Sequence, residues 1–307
     1  MSAPRLPALE RNDGGQGLLA GLRRELSVTL KFSLTSGVLL GIIILVKKIL
    51  AVFLTFIFAA VFVAVSVSAV SPNQNASDKA VDNANIPEVS GDYAIRGRQD
   101  LRVRVFVHEP GAGNHRAPKP EENLVCEDND SEAVVGHAGW RLSNSDIKYK
   151  INQSSAPSSV RSSVPTFVAE SFTKWQNSIT SDPKPNLVPD GTTSISRSRF
   201  DGQNIIAWGR TNRNTLGVTY IWYYTATGIV AEVDTIMNSR ISWSLGCSTS
   251  SYDAENIMIH ELGHWFGLDD HYTAIYTENT MFGYGSKAEI KKVTLEDGDK
   301  SGINLIY

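Results

Sequence analysis

The sequence predicts an α/β domain in the second half of the chain. From about Gly139 onward, short stretches that alternate apolar and polar side chains are separated by longer stretches with helical spacing of apolar residues. Turns rich in glycine and asparagine lie between the strand-like stretches. Helices and strands that follow each other in this way pack as layers around one core, which defines the fold class.

Period-two alternation predicts the strands of this domain. Residues 147–151 alternate cleanly, and further strands fit residues 204–208, 218–224 and 229–237.

Three helices are predicted. The first runs from about Pro165 to Trp175, and its apolar residues recur three and four positions apart on one face. The second runs over residues 253–266, with Ser251 or Asp253 as its N-cap and Gly267 as its stop. The last fits residues 295–306, where Thr294 and Asp297 have the spacing of a capping box.

The first 138 residues are predicted to be mainly outside the folded domain. Residues 46–69 are expected to be a signal peptide, because an almost wholly apolar run follows two lysines and ends with small residues spaced for cleavage. An uncleaved membrane anchor over residues 49–70 is the alternative, since about 20 apolar residues can span a bilayer. Residues 1–45 are expected to be an extension from a misassigned start, and the polar residues 70–138 a linker or propeptide with one strand-like stretch at 101–107.

Composition and charge exclude one class of partner. The formal net charge is −3 and the chain has no cluster of lysine and arginine interleaved with aromatic residues, so nucleic acid is not an expected partner. Membrane association is expected only if the apolar segment stays uncleaved. The two cysteines, Cys126 and Cys247, both follow the export segment, and a single disulfide between them is therefore expected.

The strongest chemical signal is His260-Glu261-Leu262-Gly263-His264. Two histidines four residues apart project from one face of a helix and can bind a single metal ion. Zinc fits such a site because two imidazoles and one further ligand leave an open tetrahedral position. Glu261 beside the first ligand can act as general base toward a zinc-bound water, which is the chemistry of peptide hydrolysis.

The residues after this motif resemble the signature of the metzincin metallopeptidases, in particular the matrixin-like group, HExxHxxGxxH followed by a methionine turn. Gly267 lets the chain leave the helix and return a third ligand to the metal. The eleventh position of the signature is Asp270 instead of histidine, which resembles the snapalysin variant. Asp270 is the expected third zinc ligand, and His271 after a one-residue insertion is the alternative.

The resemblance implies further site residues. Met281 in Asn279-Thr280-Met281 is the expected methionine turn, and Tyr284 follows it in the region that walls the specificity pocket in relatives. The segment 214–219 resembles the edge strand that pairs with substrate. Cys126 lacks the PRCGxPD context of the matrixin cysteine switch, which favours the disulfide.

The resemblance also implies the metal content. One catalytic zinc is expected, because no histidine occurs between His137 and His260 to form a second zinc site. Calcium at Glu232 and Asp234 is a weaker expectation, since two carboxylates on a strand are more often a solvated face.

Together these features imply a metzincin (zincin-like) catalytic domain over residues 139–307. Its expected architecture is a twisted, mostly parallel sheet with two long helices and a small C-terminal lobe that ends in a helix. The implied function is a secreted, monomeric zinc endopeptidase that acts on polypeptides, or the same enzyme anchored with its catalytic domain outside. The alternative is a secreted or membrane-tethered binding protein with a non-catalytic zinc, in which Glu261 would have no use as a base.

Overall fold

The computed structural model describes residues 80–111 and 126–307. The predicted extension over residues 1–45 and the predicted signal peptide or anchor over residues 46–69 lie outside this part of the chain. Within the described ranges, no helix has both the length and the apolar character needed to cross a bilayer.

An eight-stranded sheet lies at the centre of the described residues. Its strands are β1 (Gly91–Ile95), β2 (Arg98–Pro110), β3 (Asp146–Ile151), β4 (Asn186–Thr192), β5 (Asn204–Gly209), β6 (Gly217–Tyr224), β7 (Val230–Asn238) and β10 (Tyr284–Gly285). The main path through the sheet has the order β1-β2-β6-β7-β5-β3-β4, and β10 pairs with β2 beside this path. A separate two-stranded sheet contains β8 (Trp243–Ser244) and β9 (Tyr252–Asp253).

The structure confirms the α/β class, and its main sheet contains both parallel and antiparallel strand pairs. Strands β4, β3, β5 and β7 are mutually parallel, whereas β6 is antiparallel to β7, β2 to β6, and β1 to β2. The antiparallel half arises because tight turns join β1 to β2 and β6 to β7, and a hairpin connection forces its two strands to run in opposite directions.

In the part of the chain that the structure describes, three α-helices accompany the sheet: α1 (Val164–Ser178), α2 (Ala254–Trp265) and α3 (Asp297–Ile303). Helix α1 buries Val164, Val168, Phe172 and Trp175, the face predicted from the sequence. The indole nitrogen of Trp175 donates to the carbonyl of Ile259, 2.9 Å away, and so joins α1 to α2. Helix α2 confirms the predicted second helix.

The last helix is shorter than predicted and has a different cap. Glu296 is its N-cap and forms a capping box with Asp299, in place of the predicted pair Thr294 and Asp297. Thr294 is not the cap because the helix begins at Asp297, three residues after it, and its hydroxyl instead donates to Asp128. The backbone carbonyl of Thr294 accepts from Thr280, 2.6 Å away, which ties this residue to the methionine turn.

The β1–β2 hairpin is an integral part of the sheet, although its residues precede the predicted domain boundary at 139. Strand β2 pairs with β6 over eight residues, from Leu101↔Tyr224 to His108↔Gly217. Its odd-numbered apolar side chains enter a second core on the sheet face opposite the main core. This second core includes Leu101, Val103, Val105, Val107, Val218 and Trp222.

A disulfide joins Cys126 to Cys247 across 121 residues of sequence. It connects the segment in front of the predicted catalytic domain to the loop that precedes α2, the pairing expected from the cysteine count.

Candidate active site

Helix α2 positions the histidines and the glutamate of the predicted zinc motif. Asp253 caps the helix by accepting the backbone N–H of Asn256, 2.7 Å away. The side chains of His260, Glu261 and His264 are all fully buried. His260 and His264 lie four residues apart and so face the same side of the helix, and Glu261 adjoins the first of them.

Backbone carbonyls fix the orientation of both imidazoles. His260 Nδ1 lies 2.8 Å from the carbonyl oxygen of Thr280, and His264 Nδ1 lies 2.9 Å from that of Leu268. A carbonyl oxygen can only accept, so each Nδ1 carries the proton and donates it. Each Nε2 is therefore the free lone pair that a metal ion binds.

The turn after α2 returns Asp270 to these histidines. Gly267 has φ +103°, and a Cβ at this position would collide with the backbone oxygen of Trp140, so only glycine fits. The chain then brings Asp270 Oδ1 to 3.1 Å from His260 Nε2 and 3.5 Å from His264 Nε2. The three atoms belong to a cluster whose ligand atoms all lie within 4.8 Å of one another.

The donor set fits zinc. His260 Nε2, His264 Nε2 and Asp270 Oδ1 are buried and have no hydrogen-bond partner. Buried polar atoms are nearly always satisfied, and three unsatisfied atoms that converge on one point indicate a missing common partner. Two imidazoles and one carboxylate with an open fourth direction form a zinc donor set found in hydrolytic sites.

His271 lies apart from this cluster. Its Nε2 accepts the backbone N–H of Gly136, 2.7 Å away, and its ring stacks on Tyr276 with a centroid distance of 4.1 Å. Its Nε2 is thus already occupied, and neither candidate metal-ligand cluster among the described residues includes His271, which favours Asp270 as third ligand.

The electrostatics of the three groups suit metal binding. Burial lowers the pKa of His260 to about 4, so its imidazole is neutral near pH 7. Burial works to raise the pKa of Asp270, but the two neighbouring imidazoles outweigh it and hold that pKa well below its usual range. Burial works to lower the pKa of His264, but the carboxylates of Asp270 and Glu261 outweigh it and raise that pKa. The site therefore presents one neutral imidazole, one imidazole whose proton a metal ion would displace, and an ionised carboxylate.

Glu261 is held by a chain of side chains that the sequence did not reveal. Thr219 on β6 donates its hydroxyl to Glu261 Oε2, 2.5 Å away. Thr235 on β7 lies 2.8 Å from the Thr219 hydroxyl and accepts from the indole of Trp265, 2.9 Å away. Burial raises the pKa of Glu261, as suits a general base. Thr219 lies at the end of the predicted substrate strand. Its contact with Glu261 depends on the register of that strand, which the sequence alone does not give.

The predicted methionine turn lies beneath α2. Met281 is fully buried, and its sulfur and terminal methyl pack so close to Gly263 that a Cβ there would clash. Asp299 of α3 accepts the backbone N–H groups of Thr280 and Met281 at 2.9 and 3.2 Å. The turn in this way supplies both the floor of the site and the carbonyl that orients His260.

The expected substrate strand is not a free edge. Strand β6 pairs with β7 on one side and with β2 on the other. Strand β2 places Phe106 and His108 directly over the site, and both side chains are only 1% exposed. His108 lies in the predicted linker or propeptide, immediately after the alternating stretch at 101–107. That alternation is the one sequence feature that indicated a strand next to His108.

Tyr284 lies on β10 and pairs in parallel with Glu109 of β2. Its ring packs against those of Tyr272 and Phe282.

The carboxylates considered for calcium contact the protein's own backbone. Glu232 accepts the N–H groups of Asp201 and Gly202, and Asp234 accepts that of Arg199, 3.0 Å away. Both residues are only 1% exposed. Through these hydrogen bonds they fix the loop before β5.

Comparison with known proteins agrees with this geometry. No curated protein matches the chain. The model of the matrixin family, peptidase M10, matches residues 139–307, which is more than half of the chain and contains the entire three-ligand cluster and Glu261. The chain belongs to the matrixin family of metzincins.

Proposed function

We propose that this matrixin is a secreted zinc-dependent endopeptidase in which His260, His264 and Asp270 hold one zinc ion and Glu261 is the general base. The observation that carries the proposal is the convergence of three buried ligand atoms without hydrogen-bond partners. The carboxylate of Glu261 lies within 4.8 Å of a ligand nitrogen of His260. A site that held zinc only for structure would have no use for this carboxylate.

The reaction follows from the placement of these groups. Zinc, when bound, supplies Lewis acidity that acidifies water and polarises a peptide carbonyl. Glu261 takes a proton from the attacking water and returns it to the leaving amine. Thr219 keeps the carboxylate in place through Oε2, which leaves Oε1 free for the proton. The carbonyls of Thr280 and Leu268 hold the two imidazoles in their working tautomer.

Secretion is supported by three observations of different kinds. The segment 46–69 has the pattern of a signal peptide, matrixins are typically secreted, and the chain has a disulfide between Cys126 and Cys247. Disulfides persist in oxidising compartments outside the cytosol. We therefore propose extracellular polypeptides as substrates and a monomer as the working form.

The test compares wild type with Glu261→Ala in casein hydrolysis. Because β2 covers Glu261, each protein is assayed both intact and after limited tryptic digestion. The proposal predicts zinc in both proteins but hydrolysis by wild type only. Equal hydrolysis by the two proteins would remove the catalytic role of Glu261, and a zinc-containing wild type that never hydrolyses peptides would favour the non-catalytic binding protein.

A further inference from the structure

A chain of three hydrogen bonds leaves the Glu261 carboxylate and returns to the helix that carries it. The Thr219 hydroxyl on β6 lies 2.5 Å from Glu261 Oε2. The Thr235 hydroxyl on β7 lies 2.8 Å from that of Thr219, and the indole nitrogen of Trp265 lies 2.9 Å from Thr235 Oγ1. Trp265 follows Glu261 by four residues on α2, so both side chains face the same side of this helix. The chain therefore closes a loop from α2 through β6 and β7 back to α2.

The chemistry of the two end groups fixes the direction of every hydrogen in this chain. An indole N–H can only donate, so Thr235 Oγ1 accepts from Trp265. As a base Glu261 is ionised and can only accept, so the one hydroxyl hydrogen of Thr219 goes to its carboxylate. The bond between the two hydroxyls must therefore use the hydrogen of Thr235, which donates to Thr219. Hydrogen bonds that run in one direction polarise and strengthen one another.

The sheet and the surrounding core hold the chain in place. Thr219 and Thr235 are direct cross-strand partners in the antiparallel register of β6 and β7, which brings their side chains together on one face. Thr219, Thr235, Trp265 and Glu261 are all fully buried. Water cannot replace a bond that is lost at such a place, so the removal of any one member leaves its neighbour without a partner.

The chain distinguishes the two oxygens of the Glu261 carboxylate. Oε2 accepts from Thr219, whereas Oε1 is buried and has no hydrogen-bond partner. A rotation of the carboxylate would break the bond to Thr219 and leave a buried hydroxyl hydrogen unpaired, which is unfavourable. The orientation in which Oε1 is the oxygen that takes a proton therefore depends on all three bonds.

We propose that Thr235 and Trp265 are positioning residues for Glu261, which act through Thr219 to hold its carboxylate in the orientation that a general base needs. This inference rests on the proposed peptidase function, because it gives the two residues a part in the reaction of Glu261. Both side chains are fully buried, so each affects turnover through the chain and not through contact with the substrate.

The first test compares variants that differ in one hydrogen-bonding group. Thr235→Val removes the hydroxyl at nearly constant shape, Thr235→Ser keeps it, and Trp265→Phe removes the indole N–H. Trp175→Phe is the matched control, because Trp175 is an equally buried indole whose N–H donates over the same 2.9 Å, but to the backbone carbonyl of Ile259. Each protein is activated by limited tryptic digestion before its zinc content, folding, kcat and KM are measured.

Thr235→Val and Trp265→Phe should each lower kcat about 3- to 10-fold, the rate effect of one neutral hydrogen bond, at unchanged KM and zinc content. Thr235→Ser and Trp175→Phe should stay within about twofold of wild type, because both leave the chain complete. The double variant Thr235→Val with Trp265→Phe should be no slower than the slower single variant, since the chain is already broken. Wild-type kcat in Thr235→Val would overturn the proposal, as would an equal loss in Thr235→Ser or in Trp175→Phe.

The second test observes the chain without turnover and without substitution of Thr235 or Trp265. In NMR spectra of the nitrogen-labelled, zinc-loaded full chain, Glu261→Ala should move the indole N–H signal of Trp265 and leave that of Trp175 in place. In a Thr219→Val background, Glu261→Ala should no longer move the Trp265 signal, because the connection is interrupted. A Trp265 signal that does not respond to Glu261→Ala, or responds equally in both backgrounds, would contradict the proposed chain.

The two tests separate this inference from the proposed function. A zinc-loaded wild type that hydrolyses no peptide would refute the peptidase proposal, and the NMR spectra would still decide whether the chain holds the carboxylate. Hydrolysis by wild type, together with a Trp265 signal that is insensitive to Glu261, would refute the chain and leave the peptidase proposal standing.

Discussion

Replacing Asp270 by alanine removes the carboxylate oxygen that lies 3.1 Å and 3.5 Å from the two ligand nitrogens. Loss of groups that merely orient metal ligands lowers metal affinity by about 10- to 100-fold. Loss of a direct ligand should reach or exceed the upper end of that range, and 100-fold corresponds to about 2.7 kcal/mol. We therefore expect Asp270→Ala to bind zinc at least about 100-fold more weakly than wild type.

The neighbouring variants provide the controls. His271→Ala removes the acceptor of the Gly136 N–H and the stack on Tyr276, so it should lower the free energy of unfolding by about 1–3 kcal/mol. Its zinc affinity should stay within about threefold of wild type, because its ring contacts none of the three ligand atoms. Asp269→Asn removes the charge of an adjacent carboxylate that pairs with Arg104 and keeps an oxygen that can accept the backbone N–H of Asp270, and so controls for charge.

The assay is competition between the protein and a fluorescent zinc chelator, with bound zinc verified by elemental analysis and folding by circular dichroism. Wild-type zinc affinity in Asp270→Ala, together with loss of zinc from His271→Ala, would contradict Asp270 as third ligand. If Asp269→Asn weakened zinc binding as strongly as Asp270→Ala, the effect would be one of charge and not of coordination.

Three further predictions follow from individual contacts. Thr219→Val removes the hydrogen bond to the Glu261 carboxylate, which is worth about 1.5–3 kcal/mol. The kcat/KM of the trypsin-activated enzyme should therefore fall roughly 10- to 100-fold at unchanged zinc content. A fall of less than about twofold would contradict the positioning role of Thr219. Asp299→Ala leaves backbone N–H groups of the methionine turn without an acceptor, and urea unfolding should show a loss of roughly 3 kcal/mol, whereas wild-type stability would show that these bonds contribute little. Replacing Cys126 and Cys247 by serine should lower the free energy of unfolding by roughly 4 kcal/mol in the absence of reductant, because the disulfide closes a long loop. Free thiols in the wild-type protein would contradict the pairing.

Local patterns in the sequence predicted the elements that carry the chemistry. The four-residue spacing of His260 and His264 places both on one helix face in any context, and Gly267 marks the turn because only glycine adopts its backbone conformation easily. The core face of α1 follows from the same helical period. These features depend on neighbours within a few residues, which a single sequence contains.

The remaining features depend on pairing between distant segments. The contact between Thr219 and Glu261 requires the register of β6 over α2, and the position of His108 requires pairing between residues more than a hundred positions apart. The sequence around β1 and β2 was predicted to be a linker or propeptide because polar residues dominate it. A hairpin with charged side chains along one face has few apolar residues that would identify it as part of a folded sheet. The predicted cap of α3 is wrong because threonine is a favoured N-cap and glutamate is not, and only tertiary hydrogen bonds place Thr294 outside the helix and Glu296 at its start.

The most direct test of the central claim is a zinc titration of peptide turnover. The chain is activated by limited tryptic digestion, stripped of metal with a chelator, and given zinc in steps while cleavage of a fluorogenic peptide is recorded. We predict no turnover without metal, a linear rise that stops at one zinc per chain, and no rise at any zinc level for Glu261→Ala. Turnover in the metal-free protein, or the same rise in Glu261→Ala, would contradict the proposed zinc peptidase.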